Sequence, residues 1–334
     1  MQLPSAEEVQ SLLRRQYHGC TELHGMRVLL QGRNAIFEME LGAERYVVKS
    51  SRNGDALARL TRHAALAHGL AALGAAAEQL LPTSAGELVG RGEDGLVVAV
   101  FRKIRGVACD FTPAGYGRLG LALAVWHRAA AGVKVDAQVL SSLSPAKVLM
   151  LAENALLHTK PPRLHGCPAF AMTSAGEQRL SSCLRFLRGL LPRGEEREDW
   201  VCHGDPHPLN LLRAVSASGL QQSIWIDLED AYLGSRLHDL GTMVWSTLRC
   251  EPTRPLWMAA LEAYDRELGL YSDELDQVGY YVALRQLWWL ALHARYWGQY
   301  AIHYREPRFI DAGLDLLELI CQDACGANLT LAAG

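Results

Sequence analysis

The stretch VCHGDPHPLNLLR gathers His203, Asp205, His207 and Asn210 around Pro206 and Pro208. Two chemistries could use such a set. The first is metal binding by histidine. His203 and His207 are four apart, which on a helix would share a face, but the two prolines exclude a helix here. No Glu follows His203, so the HExxH arrangement of a zinc protease is absent. A metallohydrolase built on His-x-Asp-x-His would need more ligands downstream, and His238 and Asp239 are the candidates.

The second chemistry is phosphoryl transfer. It needs a carboxylate for the hydroxyl proton, oxygen ligands for Mg²⁺ and a cation on the phosphates. Asp205 and Asn210, five residues apart on an irregular loop, have the spacing of a kinase catalytic loop, where the Asp accepts a proton and the Asn holds a metal. A second metal carboxylate should follow beyond a hairpin, and Asp227 in SIWIDLED stands there after a Ser-Ala-Ser-Gly turn. Upstream, Lys49 closes the strand YVVK. Gly32 opens the turn QGRN ahead of another strand, where backbone N–H groups can approach phosphates. Taken singly, a strand-end Lys is a solvated edge residue, a Gly turn only turns, and a loop Asp caps something. Their order along the chain is what points to a kinase.

The elements that must position these residues follow from periodicity. Ser5-Ala6-Glu7-Glu8 reads as a capping box before a short amphipathic helix carrying Val9, Leu12 and Leu13. Alternation predicts strands near Arg27–Leu30, Ile36–Glu40 and Arg45–Lys49. DALARLTRHAALAHGLAALG is a helix with Gly69 as its first breaker, and ELVGRGEDGLVVAVFRKIRG gives two further short strands. Beyond Gly106 helical spacing dominates: Tyr116–Ala130, Pro145–His158, Glu177–Leu191, Leu237–Arg249, Leu256–Leu268, Asp273–Trp297 and Arg308–Cys321, with SIWIDLED as a short buried strand. The expected fold is α+β and bilobal. Residues 1–104 would form a small antiparallel lobe with one inserted helix, and residues 105–334 a larger helical lobe.

The bulk numbers agree with a soluble enzyme. The 334 residues suffice for two cored lobes. A hydrophobic fraction of 49% and a charged fraction of 21% are those of a globular chain. A net charge of −3 argues against a nucleic-acid partner. No apolar run reaches a membrane span and no leader pattern is visible, so a cytoplasmic monomer or homodimer is expected. The eight Cys show no CxxC pairing and read as free thiols, with Cys321 and Cys325 as two core positions one turn apart.

HGDPHPLNLL followed by IDLEDAYLGSRLHDLG resembles the paired signature of the aminoglycoside phosphotransferase and choline kinase family, small-molecule kinases of the protein-kinase-like fold. GRNAIFEMELGAERYVVKS resembles that family's nucleotide loop and Lys strand, FRKIRG its hinge, and LGLALAVWHRAA its helix with a Leu-Ala-x-x-His pattern. The likeness runs from about Arg27 to Trp245. It implies Asp205 as catalytic base, Asn210 and Asp227 as Mg²⁺ ligands, and Lys49 on the α- and β-phosphates of ATP or GTP. Gly32, Arg33 and Asn34 would belong to the nucleotide loop. Phe101 to Lys103 would offer backbone groups to the base. His203 and Asp239 would support the loop rather than react. One departure stands out: the family's Lys pairs with a Glu on the following helix, and here His63 falls at that place, with Asp55 earlier and Glu78 later.

The acceptor is a hydroxyl-bearing small molecule in this reading. Helical spacing sets Arg285, Trp288, Trp289 and Tyr296 near one face. With Glu229 they are the acceptor-site candidates, although large aromatics also fill cores. A basic aromatic wall suits an anionic, aromatic or sugar-like acceptor better than a polycation. A protein Ser/Thr acceptor and a nucleotide-binding pseudokinase are the alternatives within the superfamily.

Overall fold

The computed structural model describes residues 3–23, 25–52, 54–133, 139–158, 172–191, 200–215, 219–250, 253–300 and 309–323. In chain order the elements are α1 (Ala6–Gln16), β1 (Arg27–Gln31), β2 (Ala35–Leu41), β3 (Glu44–Ser51), α2 (Ala56–Ala72), β4 (Leu80–Leu81), β5 (Gly90–Arg91), β6 (Val97–Arg102) and β7 (Gly106–Ala108). There follow α3 (Pro113–Ala130), α4 (Pro145–Glu153), α5 (Ser174–Gly189), β8 (Trp200–Cys202), β9 (Leu211–Val215), β10 (Gln221–Trp225) and β11 (Tyr232–Gly234). The last are α6 (Arg236–Trp245), α7 (Thr253–Leu268), α8 (Ser272–Tyr300) and α9 (Phe309–Asp323).

The chain forms two compact units. One comprises residues 1–109, 129–141 and 209–231; the other comprises 110–128, 142–208 and 232–334. The sequence suggests a single boundary near residue 104, whereas the first unit also takes in the β9–β10 hairpin. That hairpin belongs there because β9 pairs with β7 in the order β10-β9-β7.

In the first unit an antiparallel sheet runs β1-β2-β3-β6-β4, with β5 also on β6. Its core is built from alternate residues of the strands. Phe37, Met39, Val48, Val98 and Val100 bury against Val9, Leu12 and Leu13 of α1. The capping box that starts α1 is complete: Glu8 N donates to Ser5 Oγ and Ser5 N to Glu8 Oε2. Gly69 does not break α2. The helix runs on to Ala72, and the glycine sits under Val133, whose Cγ1 would lie 2.6 Å from an added Cβ.

The second unit is helical, with one small β8–β11 ribbon. Its helices approach closely at glycines. A Cβ on Gly120 of α3 would fall 1.9 Å from the Ala260 carbonyl of α7. Spacing suggests one helix through Arg249, but α6 ends at Trp245 and a 3₁₀ turn, Ser246–Arg249, follows. There Ser246 Oγ and Thr247 Oγ1 each donate to carbonyls three residues back at 2.7 Å, which competes with the α-helical ladder. α4 likewise gives way after Glu153 to a wider π turn, Asn154–His158. SIWIDLED is strand only through Trp225; Asp227 has already turned out of the ladder. The cysteines within the described residues form no disulfide with one another. Cys321 is buried on α9; Cys325 and Arg308 lie outside the described residues. No helix among those residues is long and apolar enough to cross a membrane.

Candidate active site

In the first unit the chemistry gathers around Lys49. Strand β3 lies between β2 and β6, with Lys49 opposite Ile36 and Ala99. Its side chain is buried, and Nζ donates to Asp227 Oδ1 at 2.6 Å and Glu229 Oε1 at 3.1 Å, with His63 Nδ1 at 3.4 Å. Burial works against the ammonium charge, but Asp227 and Glu229 outweigh it and push the Lys49 pKa above its ordinary value.

Asp227 reaches this place through the hairpin. Leu211 pairs with Trp225, and Ile226 N donates to Asn210 O at 2.9 Å, so Asn210 and Asp227 flank the open end of β9–β10. Asp227 itself is left-handed, at φ 66° and ψ 54°. Asp is one of the few non-glycine residues that reach this region, through local hydrogen bonding of its short side chain.

Asn34 and Arg33 of the loop after β1 use their side chains on this same cluster. Asn34 Nδ2 donates to both Glu229 oxygens at 2.7 and 2.9 Å. Arg33 pairs with Asp230 at 2.8 Å and Asp55 at 3.1 Å. Gly32 N closes the turn on Asn34 O at 3.0 Å. Arg59 of α2 also binds Glu229.

In the second unit the loop after β8 is anchored by Asp239. Its Oδ2 accepts from His203 N at 2.7 Å and its Oδ1 from Gly204 N at 2.9 Å. His127 Nε2 bonds the same carboxylate at 3.1 Å, and His127 Nδ1 meets Tyr264 Oη at 2.7 Å. His203 is buried against Trp126, with Nδ1 accepting from Asp205 N at 3.2 Å. The Asp205 side chain, a quarter exposed, receives Arg285 Nη2 on Oδ1 at 2.5 Å and lies 3.5 Å from His207 Nε2. Burial alone would raise its pKa; Arg285 and His207 overcome that and hold the carboxyl well below the usual range.

Residues 27–275 match the profile of the phosphotransferase enzyme family, about three quarters of the chain. The chain belongs to that family. A protein of Deinococcus radiodurans described as uncharacterised is 26% identical over 302 residues, 87% of this chain and 83% of its own. Among solved structures, an amicoumacin kinase in complex with AMP-PNP, Ca²⁺ and its ligand superposes with a TM-score of 0.68 at 16% identity. The alignment covers 95% of this chain and 92% of the other. A microcompartment-associated aminopropanol kinase gives 0.68 at 18% identity, covering 95% of each chain. These likenesses establish the kinase-like fold, and family membership makes the chain a phosphotransferase acting on an alcohol group.

The other site candidates of this phosphotransferase have partners of their own. Glu229 is 4% exposed and bound to Lys49, Arg59 and Asn34. The Phe101 side chain is buried and stacks on His63 with ring centroids 4.3 Å apart. Lys103 gives its amide to Arg45 O at 2.7 Å and its ammonium to Glu38 at 2.8 Å. Trp289, half-buried, packs in a group with Trp245, His293 and Phe309. Trp288 is half-buried on α8. The side chain of Tyr296 lies outside the described part of that helix.

The downstream ligands that a metallohydrolase would draw on, His238 and Asp239, have other surroundings. His238 is enclosed edge-on by Tyr232 and Tyr281, and burial lowers its pKa to about 4. Asp239, His127 and Cys202 bring donor atoms within 4.8 Å of one another. Each is already engaged: Asp239 by two amides and His127, His127 by Tyr264, and Cys202 Sγ by Ser235 O at 3.3 Å.

Asp239 also offers a stability test. Burial raises its pKa, yet His127 and the loop amide of Gly204 more than compensate and hold it below its ordinary value. A depressed folded pKa stabilises above the unfolded value of about 3.9 and loses that contribution as pH falls through the folded pKa. Asp239→Ala leaves two buried amides unmet, at roughly 1–3 kcal/mol each. The melting temperature at neutral pH should fall by several degrees. The gap to wild type should narrow as pH drops below about 4. A gap that stays constant with pH would show that the charge of Asp239 is not what holds the loop.

Proposed function

We propose that the protein transfers the γ-phosphate of ATP or GTP to a hydroxyl of a small molecule, with Mg²⁺ as cofactor. The observation that carries this is the meeting of Lys49 and Asp227, 178 residues apart in sequence, at 2.6 Å. A strand Lys and a hairpin-end Asp brought together are the phosphate and metal components of a kinase. The donor set suits the cation: Asn210 and Asp227 offer hard amide and carboxylate oxygens, the ligands Mg²⁺ takes. Bound there, Mg²⁺ would neutralise phosphate charge. Lys49 contacts the phosphates. Asp205, held ionised, orients the acceptor hydroxyl and takes its proton. His203 and Asp239 fix the loop through backbone amides and do not react.

Arg285 sharpens the acceptor. Its guanidinium lies on Asp205, donates to Gly204 O at 3.3 Å and stacks 5.2 Å from the Trp245 ring. A fixed cation beside the base favours an acceptor carrying a carboxylate or other anion near its hydroxyl and disfavours a polycation. Arg285→Gln should therefore raise KM for the acceptor. It should also move the acid limb of the pH profile upward, because burial then acts on Asp205 without its main opposing charge. An unchanged acid limb would remove Arg285 from the site.

The reading as a whole is tested by nucleotide consumption across a panel of hydroxyl compounds sorted by charge, with ATP and GTP as donors. Turnover of anionic members supports it. Binding of Mg-nucleotide with no turnover of any member, protein Ser/Thr substrates included, would instead support a pseudokinase.

A further inference from the structure

The family's Lys normally meets a helix Glu, and here that helix position is His63. The structure shows what stands behind it. His63 is fully buried, with Nδ1 3.4 Å from Lys49 Nζ and Nε2 2.5 Å from Glu78 Oε2. Lysine can only donate, so Nδ1 is the bare nitrogen and Nε2 carries the proton that goes to Glu78. The ring's orientation is set by Phe101 stacked on it at 22° between planes. Glu78, just before β4, is held in register because the next residue, Gln79, accepts the amide of Arg102 through its carbonyl at 2.8 Å. Each member of the line is fixed by the sheet.

The other acids near Lys49 have other commitments. In the proposed reaction Asp227 gives its charge to the metal. Glu229 divides its charge between Lys49 and Arg59 and accepts two hydrogen bonds from Asn34. Glu78 is the acid that meets Lys49 through the single ring of His63. It also appears among the groups that raise the Lys49 pKa, after Asp227 and Glu229.

We propose that Glu78, acting through His63, is the positioning acid for Lys49 and replaces the helix glutamate of related kinases. The pair holds the ammonium on the phosphates when Asp227 is engaged elsewhere. This rests on the reading of Lys49 as the phosphate-contacting residue.

The test uses the full-length protein with Mg-ATP, measuring nucleotide affinity by fluorescence and kcat and KM with an acceptor or, failing one, with water. Glu78→Gln should lower kcat by about ten- to a hundredfold with little change in KM for ATP, since misplacing a charge costs most in the transition state. The double variant H63E/E78Q restores a direct Lys–Glu pair without crowding two carboxylates. Its kcat should return to within about threefold of wild type. A folded E78Q with wild-type kcat overturns the proposal, as does a folded double variant no better than E78Q. Should the double variant not fold, the E78Q result decides: a lower melting temperature with kcat unchanged means a structural role only. Wild-type protein that neither binds nor turns over nucleotide would instead overturn the assignment of Lys49 itself, whatever Glu78 does.

Discussion

Asp205→Asn should abolish most phosphoryl transfer while leaving the protein folded and able to bind nucleotide. The expected loss in kcat is about 10²–10⁴-fold, the range for removing a general base. Asn keeps the shape and still offers Oδ1 to Arg285, so the guanidinium that now lies 2.5 Å away retains an acceptor. The loop does not depend on the Asp205 carboxylate, because its backbone is held through His203 N and Gly204 N by Asp239. Circular dichroism and the melting temperature should therefore match wild type within a few degrees, and Mg-nucleotide should still raise the melting temperature. Turnover within tenfold of wild type would show that another group takes the proton.

Lys49→Met should be nearly as damaging, and in two ways. Removing a cation aimed at transferring phosphate costs about 10²–10³-fold, as for one lost donor in an oxyanion site. It also leaves Asp227 and Glu229 facing each other without the ammonium between them. Breaking a buried ion pair costs about 3–5 kcal/mol. Arg59 on Glu229 and the partial exposure of the Asp227 side chain soften that figure. Unlike D205N, this variant should melt earlier than wild type and gain less from added Mg-nucleotide. A K49M protein with wild-type nucleotide stabilisation would mean that Lys49 does not touch the phosphates.

Much of this could be read from the sequence, for a physical reason. Proline-shaped loops, β alternation and glycine turns act over a few residues, so the strands at Arg27, Ala35 and Glu44 and the loop around Asp205 were legible locally. The long-range pairings were not. Nothing local marks Glu229 as a partner of Lys49, because an acid two residues after Asp227 carries no sign of which way it turns. Its burial under Lys49 and Arg59 exists only in three dimensions. Arg285 was placed near the acceptor by helical spacing, but spacing cannot show that it grips Asp205. Helical phase alone does not separate Trp289, packed on Trp245, His293 and Phe309, from Arg285, since residues four apart share a face. His63 stands out as an anomaly; Glu78, fifteen residues on and past the end of α2, is visible only as one acid among several, with nothing local to join it to His63.

The left-handed backbone of Asp227 has an evolutionary consequence. At φ 66° the main chain accepts Gly, Asn and Asp readily and resists the rest. Only one of those three carries a negative charge, so geometry and the proposed reaction together leave a single permitted residue. Drift at this codon has two easy exits, to Asn and to Gly. Each would silence phosphoryl transfer while leaving the chain able to fold. A lineage that lost its activity through this site would keep a nucleotide cradle intact, ready for selection as a sensor.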